Sequence, residues 1–146
     1  ILSYTSLSDY LVTNNINPSS ITPRGLSNSI KTIREFKLPD PSKYPNVGSI
    51  FKNPIVKTNS IDSDFLSGHK WEVCSGSIKL SAARLIELII DKISIPSTLE
   101  IYENHSLVII NLGDATYSEV RNLISDIQTL VKLTFNINLE IEPKIL

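Results

Sequence analysis

Between residues 116 and 145 the spacing of apolar residues changes from helical to alternating. Val120, Leu123, Ile124, Ile127 and Val131 recur at helical spacing behind Thr116 and Glu119, the pattern of a capping box that opens an amphipathic helix. Ile137, Leu139, Ile141 and Ile145 then alternate with Asn138, Glu140, Glu142 and Lys144. A period of two predicts a half-buried strand whose second face carries two carboxylates. Residues 78–92, with Leu80, Ala83, Ile86, Leu88 and Ile90, are apolar nearly all round and predict a well-buried helix. Residues 99–103 and 107–112 predict two strands joined by a tight turn at Asn104 and His105. Residues 48–56 are strand-like up to Asn53-Pro54, where proline removes a ladder donor and ends the strand or confines it to an edge.

The first 40 residues read as helical. Residues 7–15 have weak helical periodicity, and Pro18 breaks it. Thr22-Pro23 is a clear helix start, a threonine cap followed by proline at the first helical position. Leu26, Ile30 and Ile33 follow, and the helix must stop before Pro39. Leu38-Pro39-Asp40-Pro41 is read as a domain junction or stiff connection. Residues 57–76 are polar and too long for a structureless loop in a compact domain, so they carry a short helix near residues 62–66 or form a variable insertion. The predicted fold is α+β: helices packed on a mixed sheet, in the order β-α-β-β-α-β after an N-terminal helical segment.

Composition narrows the function classes. The 146 residues are 41% hydrophobic and 20% charged, as in ordinary globular domains. A net charge of -1 gives no electrostatic case for a nucleic-acid or membrane-surface partner. No apolar run approaches the roughly 20 residues of a membrane helix, and no secretion signal opens the chain. The lone cysteine, Cys74, excludes an internal disulfide, disfavours a metal cluster and fits a reducing compartment. With Ile1 first and no methionine anywhere, the sequence is read as a fragment.

The most concentrated chemistry is Gly48-Ser49-Ile50-Phe51-Lys52-Asn53-Pro54. Glycine permits a close backbone approach, serine exchanges a proton, lysine brings charge, and asparagine both donates and accepts. Such a stretch suits an anionic, hydroxyl-rich ligand, though on composition alone a strand and turn with ordinary surface polar residues is the commoner reading. Lys37, beside the Leu38-Pro39 turn, is a point cation for a phosphate or simply a lysine that favours the helix C-terminal dipole. Glu140 and Glu142 are a candidate acid–base pair or a solvated strand face. His105 and His69 fall in a turn and a polar loop. No His/Cys set has metal-ligand spacing, no glycine-rich phosphate loop occurs, and no Ser-His-Asp arrangement stands out.

Five blocks together resemble one family. Lys37-Leu38-Pro39-Asp40-Pro41 and Gly48 to Pro54 are similar to the K-L-P-x-P and G-S-F-F-K-N-P signatures of UDP-N-acetylenolpyruvoylglucosamine reductases. Lys79-Leu80-Ser81-Ala82-Ala83, Leu107-Val108-Ile109-Ile110-Asn111, and Phe135-Asn136-Ile137 through Leu139-Glu140-Ile141-Glu142 resemble that family's later blocks, in order. The ordered set covers essentially the whole chain, and the G-S-x-F-K-N-P block is its most specific part.

The resemblance implies an NADPH-dependent flavin oxidoreductase of peptidoglycan synthesis. NADPH reduces bound FAD, which passes a hydride to the vinyl carbon of a UDP-amino-sugar enolpyruvyl ether. It assigns Ser49 as proton donor and Glu142 as catalytic glutamate. Lys37 and Asn53 hold the diphosphate, and His105 stands where a glutamine often lies near the substrate. It further implies a cytoplasmic monomer, with no nucleic-acid, membrane or metal partner. Residues 1–38 would be the tail of a flavin domain and 39–141 the substrate-binding domain. Residues 142–146 would start a strand returning to the flavin region, and FAD would be held mainly by a region N-terminal to this chain. The chain alone would then be inactive. Arg84, Ile93 and Tyr102 depart from the family's usual tryptophan, glycine and histidine, so a degenerate, non-catalytic UDP-sugar binder and a non-enzymatic interaction module stay open.

Overall fold

Thr22 begins the clearest helix as its residue types require. In the computed structural model, which describes residues 5–58 and 66–144, the Thr22 hydroxyl accepts from the Gly25 amide at 3.1 Å and Pro23 takes the first helical position. Helix α1 (Thr5–Thr13) and helix α2 (Pro23–Lys37) bury Leu7, Leu11 and Ile33 against each other. Helix α2 ends at Lys37, two residues before Pro39, as expected. Residues 1–40 and 41–146 form two separate compact units.

The second unit is α+β. Strands β1 (Ile55–Lys57), β2 (Lys70–Cys74) and β3 (Ser77–Leu80) form an antiparallel sheet in the order β1-β3-β2. Helix α3 (Ala82–Glu87) and a 3-10 turn (Ile90–Lys92) follow, and β4 (Leu99–Ile101) pairs antiparallel with β5 (Ile109–Asn111). Helix α4 (Tyr117–Phe135) closes the order. Its Leu123, Ile124, Ile127 and Val131 enter the core, which also holds Phe51, Leu80, Leu85, Ile86 and Ile137. The capping box is formed: Thr116 Oγ1 accepts from the Glu119 amide at 3.2 Å, and Glu119 Oε2 accepts from the Thr116 amide at 2.8 Å. Asn136 stops the helix in the left-handed conformation at φ 57°, which asparagine tolerates better than most residues.

The α+β class and the approximate order hold, with four corrections. The expected mixed sheet is two antiparallel sheets. The expected helix over residues 78–92 starts only at Ala82, because residues 77–80 pair as β3 and Ser81 caps the helix; Leu88 is 38% exposed, so burial is not continuous. The polar stretch 57–76 contains β2, whose Lys-Trp-Glu-Val-Cys run pairs with β3 in a hairpin. The short helix expected near residues 62–66 falls largely outside the described residues. Residues 137–144 alternate in burial as expected, with Ile137 and Leu139 buried and Asn138, Glu140 and Glu142 exposed, but they form one isolated bridge, Phe51 to Ile141, in place of a strand. Ile145 lies outside the described residues.

Candidate active site

Gly48 sets the geometry of the motif. It adopts φ +77°, and its amide donates to Asn46 Oδ1 at 2.9 Å. The chain then runs between two segments. Ser49 stands opposite Val108 and Phe51 opposite Ile141, both in antiparallel bridges. The Ile50 amide donates to Leu107 O at 2.9 Å, and Ile50 O accepts from the Glu142 amide at 2.8 Å. Ile50 and Phe51 are 2% and 1% exposed, whereas Ser49 stays partly accessible. Burial of the two neighbours therefore anchors a serine that remains open to a ligand.

The two carboxylates are not equivalent. Glu140 pairs with the Lys52 ammonium, and the same two residues are joined through Lys52 N–H to Glu140 O at 2.9 Å. Glu142 is exposed, and among the described residues no side chain pairs with its carboxylate. Of the two, Glu142 is the one free for chemistry, and its backbone is bonded to the residue next to Ser49.

Asn53 is tied to helix α3 by its side chain. Its Oδ1 accepts from the Ala82 amide at 2.9 Å, at the start of α3, where Ser81 Oγ accepts from the Arg84 amide at 3.2 Å. The side-chain carbonyl is thus committed to a helix terminus, which leaves the amide NH2 as the group a ligand would meet. His105 sits in the β4–β5 turn. Its amide donates to Tyr102 O at 3.1 Å and its carbonyl accepts from Val108, the residue opposite Ser49, at 2.9 Å. Ser49, Asn53, His105 and Glu142 thus all belong to the second unit. Lys37 closes α2 in the first unit, where its Nζ donates to Ser6 Oγ at 2.6 Å.

Two features were not anticipated. The Lys52–Glu140 pair was invisible because its members are 88 residues apart. The outer face of the three-stranded sheet carries a row of Ile55, Lys79 and Trp71 in register, with Ile55 59% and Trp71 50% exposed. An indole beside an ammonium can stack on a planar base and meet a phosphate. Its sequence signal was the period-two run of β2, hidden in a stretch read as loop. Arg84 reaches outward to Glu87 Oε2 at 3.1 Å, which accommodates an arginine on a partly buried helix face.

A small α+β domain thus brings together a partly accessible serine behind a left-handed glycine, a carboxylate on the adjoining segment that is unpaired among the described residues, and a sheet face with an indole and an ammonium. Comparison with known proteins places it more closely. Residues 40–146 match the C-terminal domain of UDP-N-acetylenolpyruvoylglucosamine reductase, and the chain belongs to that family. It is 36% identical over 151 residues to the UDP-N-acetylenolpyruvoylglucosamine reductase of Flavobacterium johnsoniae, covering 99% of this chain and 43% of that protein. The reductase of the same name from Burkholderia orbicola (strain MC0-3) is 34% identical over 147 residues, covering 97% of this chain and 42% of the relative. The chain thus spans about two-fifths of the length of the curated relatives it matches. Among the described residues no helix is long and apolar enough to cross a membrane, and no group of three or more His, Cys, Asp or Glu could hold a metal ion.

Proposed function

We propose that this chain is the substrate-binding part of a cytoplasmic, NADPH-dependent flavoenzyme of peptidoglycan synthesis. The enzyme reduces UDP-N-acetylglucosamine enolpyruvate to UDP-N-acetylmuramate. The observation that carries the reading is that partly accessible Ser49 and Glu142, unpaired among the described residues, lie on adjoining segments of a chain of this family. Residues 1–38 are assigned to the tail of the flavin-binding domain and 39–141 to the substrate domain. Residues 142–146 are assigned to a segment returning towards the flavin. An exposed single thiol, Cys74, accords with a reducing compartment.

FAD binding falls to the rest of the protein. The five glycines stand singly at positions 25, 48, 68, 76 and 113, and none belongs to a glycine-rich phosphate loop. When bound, reduced FAD would supply the hydride of the addition. The residues of this chain govern the other half of the addition. Ser49 gives its proton to the neighbouring carbon. A hydroxyl is a weak acid, so the transfer is favourable only to a strong base in contact with it, which an enolate is. Glu142 supports that step: a neutral carboxyl donates to the enolate oxygen, and an ionised one orients the serine hydroxyl. The Asn53 amide NH2 meets the diphosphate, and His105 lies near the sugar.

The test is substrate-dependent NADPH oxidation by the full gene product beside its Ser49→Ala variant. A loss of about 10²- to 10⁴-fold in turnover, with flavin retained, is expected. Undiminished turnover in the variant would sink the proton-donor assignment. A wild-type protein that binds UDP-sugar and flavin without turnover is instead a degenerate binder.

A further inference from the structure

We infer that Lys52 and Glu140 are positioning residues that set the register of the Glu142 segment against Ser49; this rests on the reading of Ser49 and Glu142 as catalytic. Burial of Leu139, 4% exposed, fixes which face of residues 139–142 turns inward. They make no continuous strand, only the Phe51–Ile141 bridge with two flanking hydrogen bonds, Lys52 N–H to Glu140 O at 2.9 Å and Glu142 N–H to Ile50 O at 2.8 Å. From helix α4, Gln128 Nε2 donates to Leu139 O at 2.8 Å. The burial of Leu139 opposes a slip of one residue, whereas so short a ladder does little against a slip of two. A slip of one residue would turn Glu142 to the opposite face, and a slip of two would bring it opposite Lys52 in place of Glu140. The second error is the harmful one, because Lys52 would then neutralise the catalytic carboxylate. By taking Glu140, the ammonium makes the observed register the one in which Glu142 stays unpaired.

The side chains of the pair are 50% and 73% exposed, so its effect is modest. The test uses the full gene product and measures kcat and KM for Lys52→Met, Glu140→Gln, their combination, and the charge reversal Lys52→Glu with Glu140→Lys. Each single change should lower kcat about two- to fivefold, the range exposed pairs contribute, with KM little altered. The combination should be no worse than either single change, and the reversal should recover most of the loss. Amide exchange at Lys52 and Glu142 should quicken in the single variants and recover in the reversal, which checks placement apart from turnover. Additive losses, unchanged exchange, or a raised KM in Lys52→Met alone would overturn the inference, the last making Lys52 a direct ligand. A parallel Ser49→Ala variant separates the two readings. Retained turnover there means the catalytic assignment fails. Lost turnover without coupling between Lys52 and Glu140 means only the positioning inference fails.

Discussion

The side-chain carbonyl of Asn53 accepts a hydrogen bond from the backbone amide of Ala82 at 2.9 Å. It joins the G-S-x-F-K-N-P motif to the first turn of α3. Oδ1 holds the helix start, and under the proposed function the NH2 group is the part of Asn53 that would meet the substrate. Asn53→Ala should cost about 0.5–2 kcal/mol in stability by orphaning that amide, read from urea unfolding. Asn53→Asp keeps the acceptor and adds negative charge at a helix N-terminus, so stability should hold. The same aspartate would repel a diphosphate, and KM for the UDP-sugar should rise by about tenfold or more. An aspartate variant with unchanged KM would remove Asn53 from the binding site and leave it a capping residue.

Gly48 offers a cleaner backbone test. A Cβ added there would meet nothing within 4 Å, yet φ is +77°. The cost of Gly48→Ala is therefore conformational and not steric, about 1–2 kcal/mol. Unfolding should report that loss, and turnover should fall further because Ser49 is the next residue. Unchanged stability would show that the loop adopts a negative φ without penalty.

Much of the fold was legible where one local rule governs it. The Thr22-Pro23 start, the stop before Pro39, and the Thr116/Glu119 box each depend on neighbours within four residues, and each is present. The alternation of residues 137–144 correctly gave burial but not pairing, since pairing depends on Phe51 nearly ninety residues away. Residues 78–80 read as helix for a related reason. A short Ile-Lys-Leu alternation before a true helix has no local mark of its partners, and β1 and β2 supply them. In the site, periodicity offered Glu140 and Glu142 as equals. The family resemblance singled out Glu142, and the long-range contact of Lys52 with Glu140 is the physical difference between them. The family blocks named Asn53, but nothing local tied its carbonyl to Ala82.

Glu119 predicts the acid limb of stability. Hydrogen bonds from the Thr116 amide, the Thr116 hydroxyl and the Thr98 hydroxyl hold its carboxyl below its ordinary value of 4.5. A carboxyl with a depressed folded pKa stabilises the fold fully above the unfolded value and loses that contribution as pH falls through the folded one. The thermal midpoint should therefore be insensitive to this group above about pH 5 and decline below 4.5 as Glu119 protonates. In Glu119→Gln the decline should be shallower, since the amide cannot titrate. An identical acid limb in both proteins would assign it to other carboxylates.

Trp71 is the only tryptophan, it is 50% exposed, and Lys79 stands beside it in register on β3. If the outer sheet face receives the nucleotide end of the substrate, the indole stacks on the base while the ammonium meets a phosphate. Base–aromatic stacking contributes about 1–3 kcal/mol, so Trp71→Ala should weaken UDP binding by about five- to hundredfold. The wild-type indole emission should change on UDP titration with no interference from a second tryptophan. Lys79→Met should weaken binding less and flatten its salt dependence, because an exposed ammonium acts through a screened charge. Uridine, which keeps the base and lacks the phosphates, divides the two effects: Trp71→Ala should impair its binding and Lys79→Met should not. Wild-type emission indifferent to both ligands, with Trp71→Ala binding UDP normally, would place the nucleotide elsewhere and leave Ile55, Trp71 and Val73 as an exposed apolar face of the sheet.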